Sequence, residues 1–281
     1  MLAPATALAC YLLVVLGDTV RVTESGMGCR SWPLCNGNLG LTGVYQALLE
    51  QSHRYAAAVV TLLMIATFVA LRRSAGRDRL AYGAAVFGLA LIGAQVLLGA
   101  ITVFAHNAGW TVALHLACAW LVLATVTVTA VRVLRPGEPD GGGSSALVAP
   151  IGVFLLSVSG MLVLHEGASR ACPSWPLCLG SPAPLRQLLL QYAHRTLAFL
   201  TAVVLVFSAV ALWRSAPARS PQRLAIGVVF TLLAATAALG GVVATNGASP
   251  SGQDLHLALA SALWVSVVAL TALPSARVRA L

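Results

Sequence analysis

The sequence predicts an all-α integral membrane protein with eight transmembrane helices, arranged as two tandem four-helix bundles. Three observations predict this fold class: the composition, the spacing of the apolar stretches, and a repeat that relates the two halves of the chain. Of the 281 residues, 59% are hydrophobic and only 9% are charged, whereas a soluble domain carries about 25% charged residues. The mean hydropathy of +0.88 also indicates a chain that lies in a lipid bilayer.

The apolar stretches are each about 20 residues long, which is the length that a helix needs to cross a bilayer. A transmembrane β-barrel would instead show alternating segments of about 10 residues. The sequence therefore predicts helices over residues 2–22, 45–71, 80–104, 110–134, 147–165, 186–213, 224–245 and 254–273.

The net charge of +9 comes from basic residues that are all arginine. Eleven of them lie in or beside alternate connections, which the positive-inside rule assigns to the cytoplasm. We expect a multi-pass protein of the bacterial cytoplasmic membrane, with both termini cytoplasmic, lipid around it and no nucleic-acid partner. The eleven residues are Arg72, Arg73, Arg77, Arg79, Arg132, Arg135, Arg214, Arg219, Arg223, Arg277 and Arg279.

A linker rich in glycine and proline, residues 135–146, divides the helices four and four. It predicts an N-terminal half over residues 1–134 and a C-terminal half over residues 147–281. Because four is an even number, both copies have the same orientation, and we expect a pseudo-two-fold axis along the membrane normal. CRSWPLC (29–35) recurs as CPSWPLC (172–178) at an offset of 143, and QSHR (51–54), Gly99 and His115 recur as YAHR (192–195), Gly240 and His256 at an offset of 141.

Each repeated loop holds two cysteines and lies on the predicted outer side, where the compartment is oxidising and disulfides persist. A structural disulfide within each loop, Cys29–Cys35 and Cys172–Cys178, is one interpretation of this spacing. A redox-active pair is a second, although such pairs are more typically Cys-x-x-Cys. A metal site is a third, but zinc takes four ligands and each loop offers two cysteines.

Four histidines occupy equivalent positions in the two halves: His53 and His115 in the first, and His194 and His256 in the second. Histidine inside a membrane span is costly and usually functional. Two imidazoles from different helices of an apolar bundle can supply both axial ligands of a haem iron. The pattern therefore predicts haem near the outer side of each half, with interhelical hydrogen bonding as the alternative.

Two further positions qualify this haem hypothesis. Arg54 and Arg195 follow the helix-starting histidines, where they could pair with haem propionates or anchor the helices at the interface. Glu50 precedes His53 by three residues, and Gln191 takes the equivalent place before His194. A carboxylate can take up protons where an amide cannot, so we expect reactive chemistry in the first half and a stable haem in the second. The alternative is a solvated carboxylate that the helix dipole favours at the start of the helix.

The chain resembles the haem A synthase family over essentially its whole length. The resemblance rests on the segments GDTVRVTESGMGCRSWPLCNG (17–37), LLEQSHR (48–54), GAITV (99–103), EGASRACPSWPLCLG (166–180) and QYAHR (191–195), and on the helix of His256. The first loop departs from the family by reading MGCR where many members have a variant of LSCP, which does not touch the expected ligands.

The resemblance implies eight transmembrane helices in two halves and an oxidoreductase that converts haem O into haem A. One porphyrin methyl group becomes a formyl group through a hydroxymethyl intermediate, and haem A then serves cytochrome c oxidase assembly. His194 and His256 would ligate a resident haem b. His53 and His115 would line the pocket of the substrate, haem O, with Glu50 as the catalytic carboxylate. The loop cysteines would form two disulfides.

Haem O could be delivered by haem O synthase, and the electron partner is not identified by the sequence. The main alternative is a di-haem membrane electron carrier of the cytochrome b type. Such a carrier explains the four histidines, but it does not explain the difference between Glu50 and Gln191. A transporter and a disulfide-generating oxidoreductase are further alternatives, the latter needing cysteines that cycle.

Overall fold

The fold is taken from a computed structural model, which describes residues 1–41, 43–74, 78–137 and 147–274. Within these ranges the secondary structure is helical, with a short 3₁₀ helix at Ala168–Arg170. The eight α-helices are α1 (Leu2–Val22), α2 (Tyr45–Arg73), α3 (Arg79–Phe104), α4 (Gly109–Leu134), α5 (Val148–His165), α6 (Leu185–Ser215), α7 (Pro221–Thr245) and α8 (Pro250–Ala272).

All eight helices are long and apolar enough to cross a membrane, which confirms the predicted fold class. In a bilayer the backbone must satisfy its own hydrogen bonds, and helices do so within one segment. α8 begins at Pro250, earlier than the predicted residue 254. Ser249 explains the extra turn, because its Oγ accepts a hydrogen bond from Gly252 N at 3.2 Å, as N-terminal caps do.

The first compact unit comprises residues 1–130 and 249–261. In it, α1 packs on α2, and α2 packs on α3. The hydroxyls of Thr6 and Thr67 join α1 to α2 through a hydrogen bond of 2.9 Å. Tyr11 donates to the carbonyl of Ala258 at 3.2 Å, which ties the first turns of α8 to α1.

The second compact unit comprises residues 131–248 and 262–281. α6 packs between α5 and α7, and the rings of Phe154 and Trp264 lie 5.9 Å apart. The side-chain amide of Gln222 donates to the carbonyl of Pro274 at 2.8 Å. The predicted division at residues 134 and 147 stays a prediction, and residues 138–146 of the predicted linker lie outside the described part.

The connection between α1 and α2 is a compact loop whose cysteines, Cys29 and Cys35, form a disulfide. The backbones of Cys35 and Asn38 pair with each other, and the Asn36 amide donates to the carbonyl of Gly28 at 3.2 Å. The loop between α5 and α6 repeats this plan with the disulfide Cys172–Cys178. In both loops a cis peptide bond joins the tryptophan to the following proline.

Gly28 lies against the first turn of α2 so closely that a side chain has no room. A Cβ atom at this position would lie 2.5 Å from the backbone nitrogen of Ala47 and 2.6 Å from the carbonyl oxygen of Gln46. Backbone of a helix cannot move aside cheaply, so the loop would have to lift off the helix.

We predict that Gly28→Ala lowers the thermal unfolding midpoint of the purified protein by several degrees. Overpacking of this kind costs about 1–3 kcal/mol. Gly40→Ala is the matched control in the same loop, because a Cβ there meets nothing within 4 Å. Equal midpoints for the two variants, measured by intrinsic fluorescence, would contradict the close packing of Gly28.

Candidate functional site

The Glu50 carboxylate is buried near the start of α2, with a relative exposure of 5%. Its Oε2 accepts a hydrogen bond from the backbone N–H of Cys29 at 2.7 Å. Its Oε1 pairs with Arg54 Nη2 at 2.6 Å, one helical turn further along α2. Both oxygens are therefore bound to fixed donors, which holds the carboxylate in one orientation.

Arg54 spans the loop between α1 and α2 with its guanidinium group. Nη1 donates to the carbonyls of Ser31 at 2.7 Å and Pro33 at 3.2 Å, and Nη2 donates to that of Cys29 at 3.3 Å. Backbone carbonyls in a tight loop need donors wherever water is excluded. Arg54 supplies these donors from the helix, so it holds the loop onto α2.

Arg195 repeats this arrangement in the second unit. Its Nη1 donates to the carbonyls of Ser174 at 2.7 Å and Pro176 at 3.1 Å, and its Nη2 to that of Cys172 at 2.9 Å. The two arginines thus contact equivalent loop positions. Sequence reasoning considered propionate pairing and interfacial anchoring for them and missed the loop contacts. Pairing of these arginines with haem propionates stays a prediction. The loop contacts use Nη1 and Nη2 of each arginine, so Nε is the donor that would be left for a propionate.

Gln191 differs from Glu50 in its chemistry and in its partner. Its side-chain Nε2 donates to the carbonyl of Ala168 at 2.7 Å, so it binds the loop as a hydrogen-bond donor. Glu50 binds its loop as an acceptor. The two halves therefore keep the loop contact at this position and differ in charge, and only Glu50 offers an oxygen that can carry a proton.

His53 on α2 and His115 on α4 are half-buried and near enough to interact electrostatically. A glycine lies against each ring: a Cβ on Gly17 would approach His53 Cε1 to 2.9 Å, and one on Gly99 would approach His115 Cε1 to 3.3 Å. Gln95 Nε2 lies 3.1 Å from His115 Nε2. Gly99 is one of the positions that the repeat of the two halves singles out.

His194 is fixed by a hydrogen bond that His53 does not have among the described residues. Its Nδ1 lies 2.8 Å from Ser159 Oγ on α5, and a Cβ on Gly160 would approach its Cε1 to 3.2 Å. Leu16 occupies the position equivalent to Ser159 in the first half. His256 lies in the segment 249–261 of the first unit, and His194 lies in the second, so their pairing stays a prediction.

These residues fit the haem that the sequence predicts. Nδ1 of His53 and Nδ1 of His115 are enclosed and have no hydrogen-bond partner within the described ranges. Enclosed polar atoms without partners are uncommon and call for a missing ligand or ion. The hydrogen bond from Ser159 to His194 Nδ1 matches the usual pattern in which the second ring nitrogen of a metal-binding histidine is held by a partner.

A buried ionic cluster on α1 was missed by sequence reasoning. Asp18 Oδ1 pairs with Arg21 Nε at 2.6 Å, and Thr19 Oγ1 donates to Asp254 Oδ2 at 3.0 Å. The cluster joins α1 to the first turn of α8, two residues before His256, while neighbouring Gly17 contacts His53. The polar letters in GDTVRV (17–22) were its only sequence signal.

The chain is similar to a family model and to curated proteins over most of its length. The chain matches the family model described as "Cytochrome oxidase assembly protein" over residues 41–268. The "Heme A synthase" of Symbiobacterium thermophilum is 38% identical over 283 residues, covering 91% of this chain and 89% of the relative. That of Geobacillus thermodenitrificans is 30% identical over 223 residues, covering 74% of this chain and 69% of the relative. That of Bacillus licheniformis is 27% identical over 276 residues, covering 93% of this chain and 89% of the relative.

We predict that Arg54→Lys loosens the loop at residues 29–35 and that Arg195→Lys loosens the loop at residues 172–178. Lysine is a point donor and cannot reproduce the fork that spans several carbonyls. Loss of a charge-assisted hydrogen bond worth about 1.5 kcal/mol corresponds to about tenfold faster amide hydrogen exchange. Each variant serves as the control for the other, since the untouched loop should exchange at the wild-type rate. Unchanged exchange in both loops would show that the arginines do not hold them.

Proposed function

Because this chain belongs to the haem A synthase family, we propose that it oxidises one methyl group of haem O to a formyl group, through a hydroxymethyl intermediate, to give haem A. The observation that carries this proposal is the difference between Glu50 and Gln191 at equivalent positions of the two halves. Both halves repeat the disulfide loop and the arginine that holds it. One turn before the histidine of α2 the first half has a buried carboxylate, Glu50, and the second half has the amide Gln191 at the equivalent position on α6.

The first half is the proposed site of the reaction. His53 and His115 line the pocket for haem O, and a glycine lies against each ring. Glu50 lies on the same helix as His53 and is held by Arg54 and by Cys29 N–H. These two partners keep the carboxylate in place as the substrate enters. A proton acceptor needs such a fixed position, because it must lie within hydrogen-bond reach of the proton that it takes.

In this proposal, the methyl carbon takes the oxygen of a water molecule and becomes an alcohol, and the alcohol then becomes an aldehyde. Each of these two stages releases two protons and two electrons, and Glu50 takes up the protons while the electron partner takes up the electrons. The acceptor is Oε1 or Oε2, and the proton leaves toward the outer side through the loop. Arg54 offsets the charge of the carboxylate between these events. Gln191 cannot take this role, because a side-chain amide does not accept a proton at neutral pH.

The second half is the proposed site of a resident haem b, with His194 and His256 as axial ligands. Bound there, haem b would supply one-electron transfer. Ser159 supports this assignment because it fixes the ring of His194 through Nδ1 at 2.8 Å. A permanent cofactor needs such a preset ligand, whereas a substrate that enters and leaves does not.

We further propose that both termini are cytoplasmic and that the disulfide loops and histidine sites face the outer side. The arginines that cluster beside alternate helix ends support this orientation. Haem O then reaches the first half within the membrane, where haem O synthase could deliver it. An electron partner must take up the electrons released from the methyl group.

A di-haem electron carrier of the cytochrome b type is the second candidate, favoured by the four histidines at equivalent positions. A carrier would hold two permanent haems in each chain. The proposed synthase would hold one permanent haem and one exchangeable haem, so haem extraction and chromatography of the purified protein distinguish the two.

We predict that Glu50→Gln, in cells that supply haem O, stops haem A formation while haem O accumulates and haem b is retained. The amide keeps an oxygen that can accept from Cys29 N–H, so the loop contact survives while proton uptake is lost. The readout is haem extraction followed by chromatography, with Gln191→Glu as the matched control in the other half. Normal haem A yield from Glu50→Gln would exclude the proposed catalytic role.

We predict that Gly160→Ala changes the absorption or paramagnetic resonance spectrum of the resident haem, whereas Gly17→Ala leaves it unchanged and lowers haem A yield. The added methyl group at Gly160 would press on His194 at 3.2 Å, and that at Gly17 on His53 at 2.9 Å. A change in the resident haem spectrum from Gly17→Ala alone would reverse the assignment of the two halves.

A further inference from the structure

The start of α8 packs with the first compact unit, although the repeat places this helix in the second half. Residues 249–261 group with residues 1–130, and they include His256, the residue proposed as an axial ligand of the resident haem. The segment that carries this ligand is therefore held by the half that is proposed to bind the substrate. α1 makes the side-chain contacts with it.

Two side chains of α1 donate hydrogen bonds to the first turns of α8. Thr19 Oγ1 donates to Asp254 Oδ2 at 3.0 Å, and it lies 3.2 Å from the carbonyl oxygen of Val15 in its own helix. Tyr11 donates to the carbonyl of Ala258 at 3.2 Å. A carboxylate acceptor makes a stronger hydrogen bond than a carbonyl does, so the bond between Thr19 and Asp254 is the firmest of these contacts.

An arginine adds a third contact between α1 and α8. Arg21 Nη1 lies 3.5 Å from Gln253 Oε1, and Arg21 Nε is held by Asp18 Oδ1 at 2.6 Å. The Asp18 side chain is almost fully buried, with 2% exposure. Removing charges from water costs free energy that pairing offsets only in part, so such a pair stabilises a fold weakly. Its better use is to specify which residues of two elements meet.

The repeat shows that packing alone does not require polar residues at these positions. The offset of 143 relates Gly17 on α1 to Gly160 on α5, and the offset of 141 relates α8 to α4. At these offsets the counterparts of Asp18, Thr19, Arg21, Gln253 and Asp254 are Met161, Leu162, Leu164, Val112 and Ala113. All five counterparts are apolar, so the polar contacts are particular to α1 and α8.

The contacts with α1 lie on the side of α8 away from His256. Successive residues of an α-helix are turned by about 100°, so Asp254 and Ala258 lie about 40° apart around the axis. By the same geometry, His256 lies about 160° from each of them. Contacts that hold one side of a helix fix its rotation. They thereby fix the direction in which the opposite side presents the His256 ring.

α1 uses two opposite sides in the same way. Gly17 lies against the ring of His53, where a Cβ would approach Cε1 to 2.9 Å. Thr19 is two positions further along and lies about 160° away around the helix axis, where it contacts Asp254. α1 therefore stands between the His53 ring on one side and the first turn of α8 on the other.

We propose that Thr19 and Asp254 are positioning residues that hold His256 in place as an axial ligand of the resident haem. The inference rests on the proposed function, in which His256 and His194 bind that haem. Ser159 fixes the ring of His194 from within the second half, whereas α1 fixes the helix of His256 from the first half. Outer partners that orient the ligands are one of the means by which a protein tunes a metal site.

The test removes the hydrogen bond from each side in turn. Thr19→Val replaces the hydroxyl group by a methyl group of similar size, and Asp254→Ala introduces the residue that α4 has at the equivalent position. Thr19→Ser keeps the donor and Asp254→Asn keeps an acceptor, so these are the conservative variants. Thr231→Val is the matched control, since its hydroxyl donates to the carbonyl of Gly227 in its own helix at 3.0 Å.

Two measurements are made on each purified protein with its resident haem bound. Amide hydrogen exchange over residues 250–258 reports how firmly the first turns of α8 are held. The paramagnetic resonance spectrum of the ferric haem reports the geometry of the axial ligands, which a purely structural contact would not change. His256→Ala provides the reference spectrum for loss of the ligand.

We expect Thr19→Val and Asp254→Ala each to shift the haem spectrum and to speed amide exchange over residues 250–258 about tenfold, as loss of one hydrogen bond to a charged group would. The double variant should match the single variants, because both changes remove the same bond. Thr19→Ser, Asp254→Asn and Thr231→Val should keep the wild-type exchange and spectrum.

Faster exchange with a wild-type haem spectrum in both single variants would overturn the positioning role. Wild-type exchange in both, or additive effects in the double variant, would overturn the contact itself. Each change removes the bond from one side, so misfolding of one variant leaves the other as the test. An unchanged spectrum in His256→Ala would instead overturn the proposed haem ligand, and this inference with it.

Discussion

A membrane-spanning chain makes its backbone hydrogen bonds inside helices. The carbonyl groups of the loops that join the helices then need hydrogen-bond donors from elsewhere. In this protein an arginine supplies them in each half. Arg54 and Arg195 reach from α2 and α6 to four and three carbonyls, respectively, within a disulfide loop. The position of Glu50 depends on this contact, since one of its oxygens is bound to Arg54 and the other to the backbone of the same loop.

The two halves repeat the same helices and disulfide loops. They differ in residues around the histidines. The first half has a carboxylate where the second has an amide, and the second has Ser159 where the first has Leu16. Each substitution gives its own half a property that the other half lacks at the equivalent position. In the first half, the Glu50 carboxylate adds proton chemistry on the helix of His53, and Leu16 stands in place of the serine. In the second half, Ser159 fixes the ring of His194, and Gln191 stands in place of the carboxylate. In the proposed function, this difference divides the reaction and the electron transfer between two copies of one bundle.

The sequence predicted the helices well because hydropathy over about 20 residues responds directly to the thickness of a bilayer. It placed the start of α8 too late, since a capped polar turn such as that after Ser249 carries no hydropathy signal. It singled out Glu50, the histidines and Gly99 through the repeat, and the roles of these residues stay predictions. It did not reveal the loop contacts of Arg54 or the pairing of Asp18 with Arg21, because the direction in which a long side chain extends depends on tertiary packing.

The contacts of Gly17 with His53 and of Gly99 with His115 restrict how the lengths of α1 to α4 could change. One inserted residue turns everything beyond it by about 100° and moves it by about 1.5 Å, so the glycine would no longer lie against the histidine ring that it contacts. Insertions and deletions are therefore tolerated in the connections. The two halves record this restriction: their offset is 143 at the cysteines and 141 from the histidines onward, and the two-residue difference falls in the loop between Cys35 and Gln51.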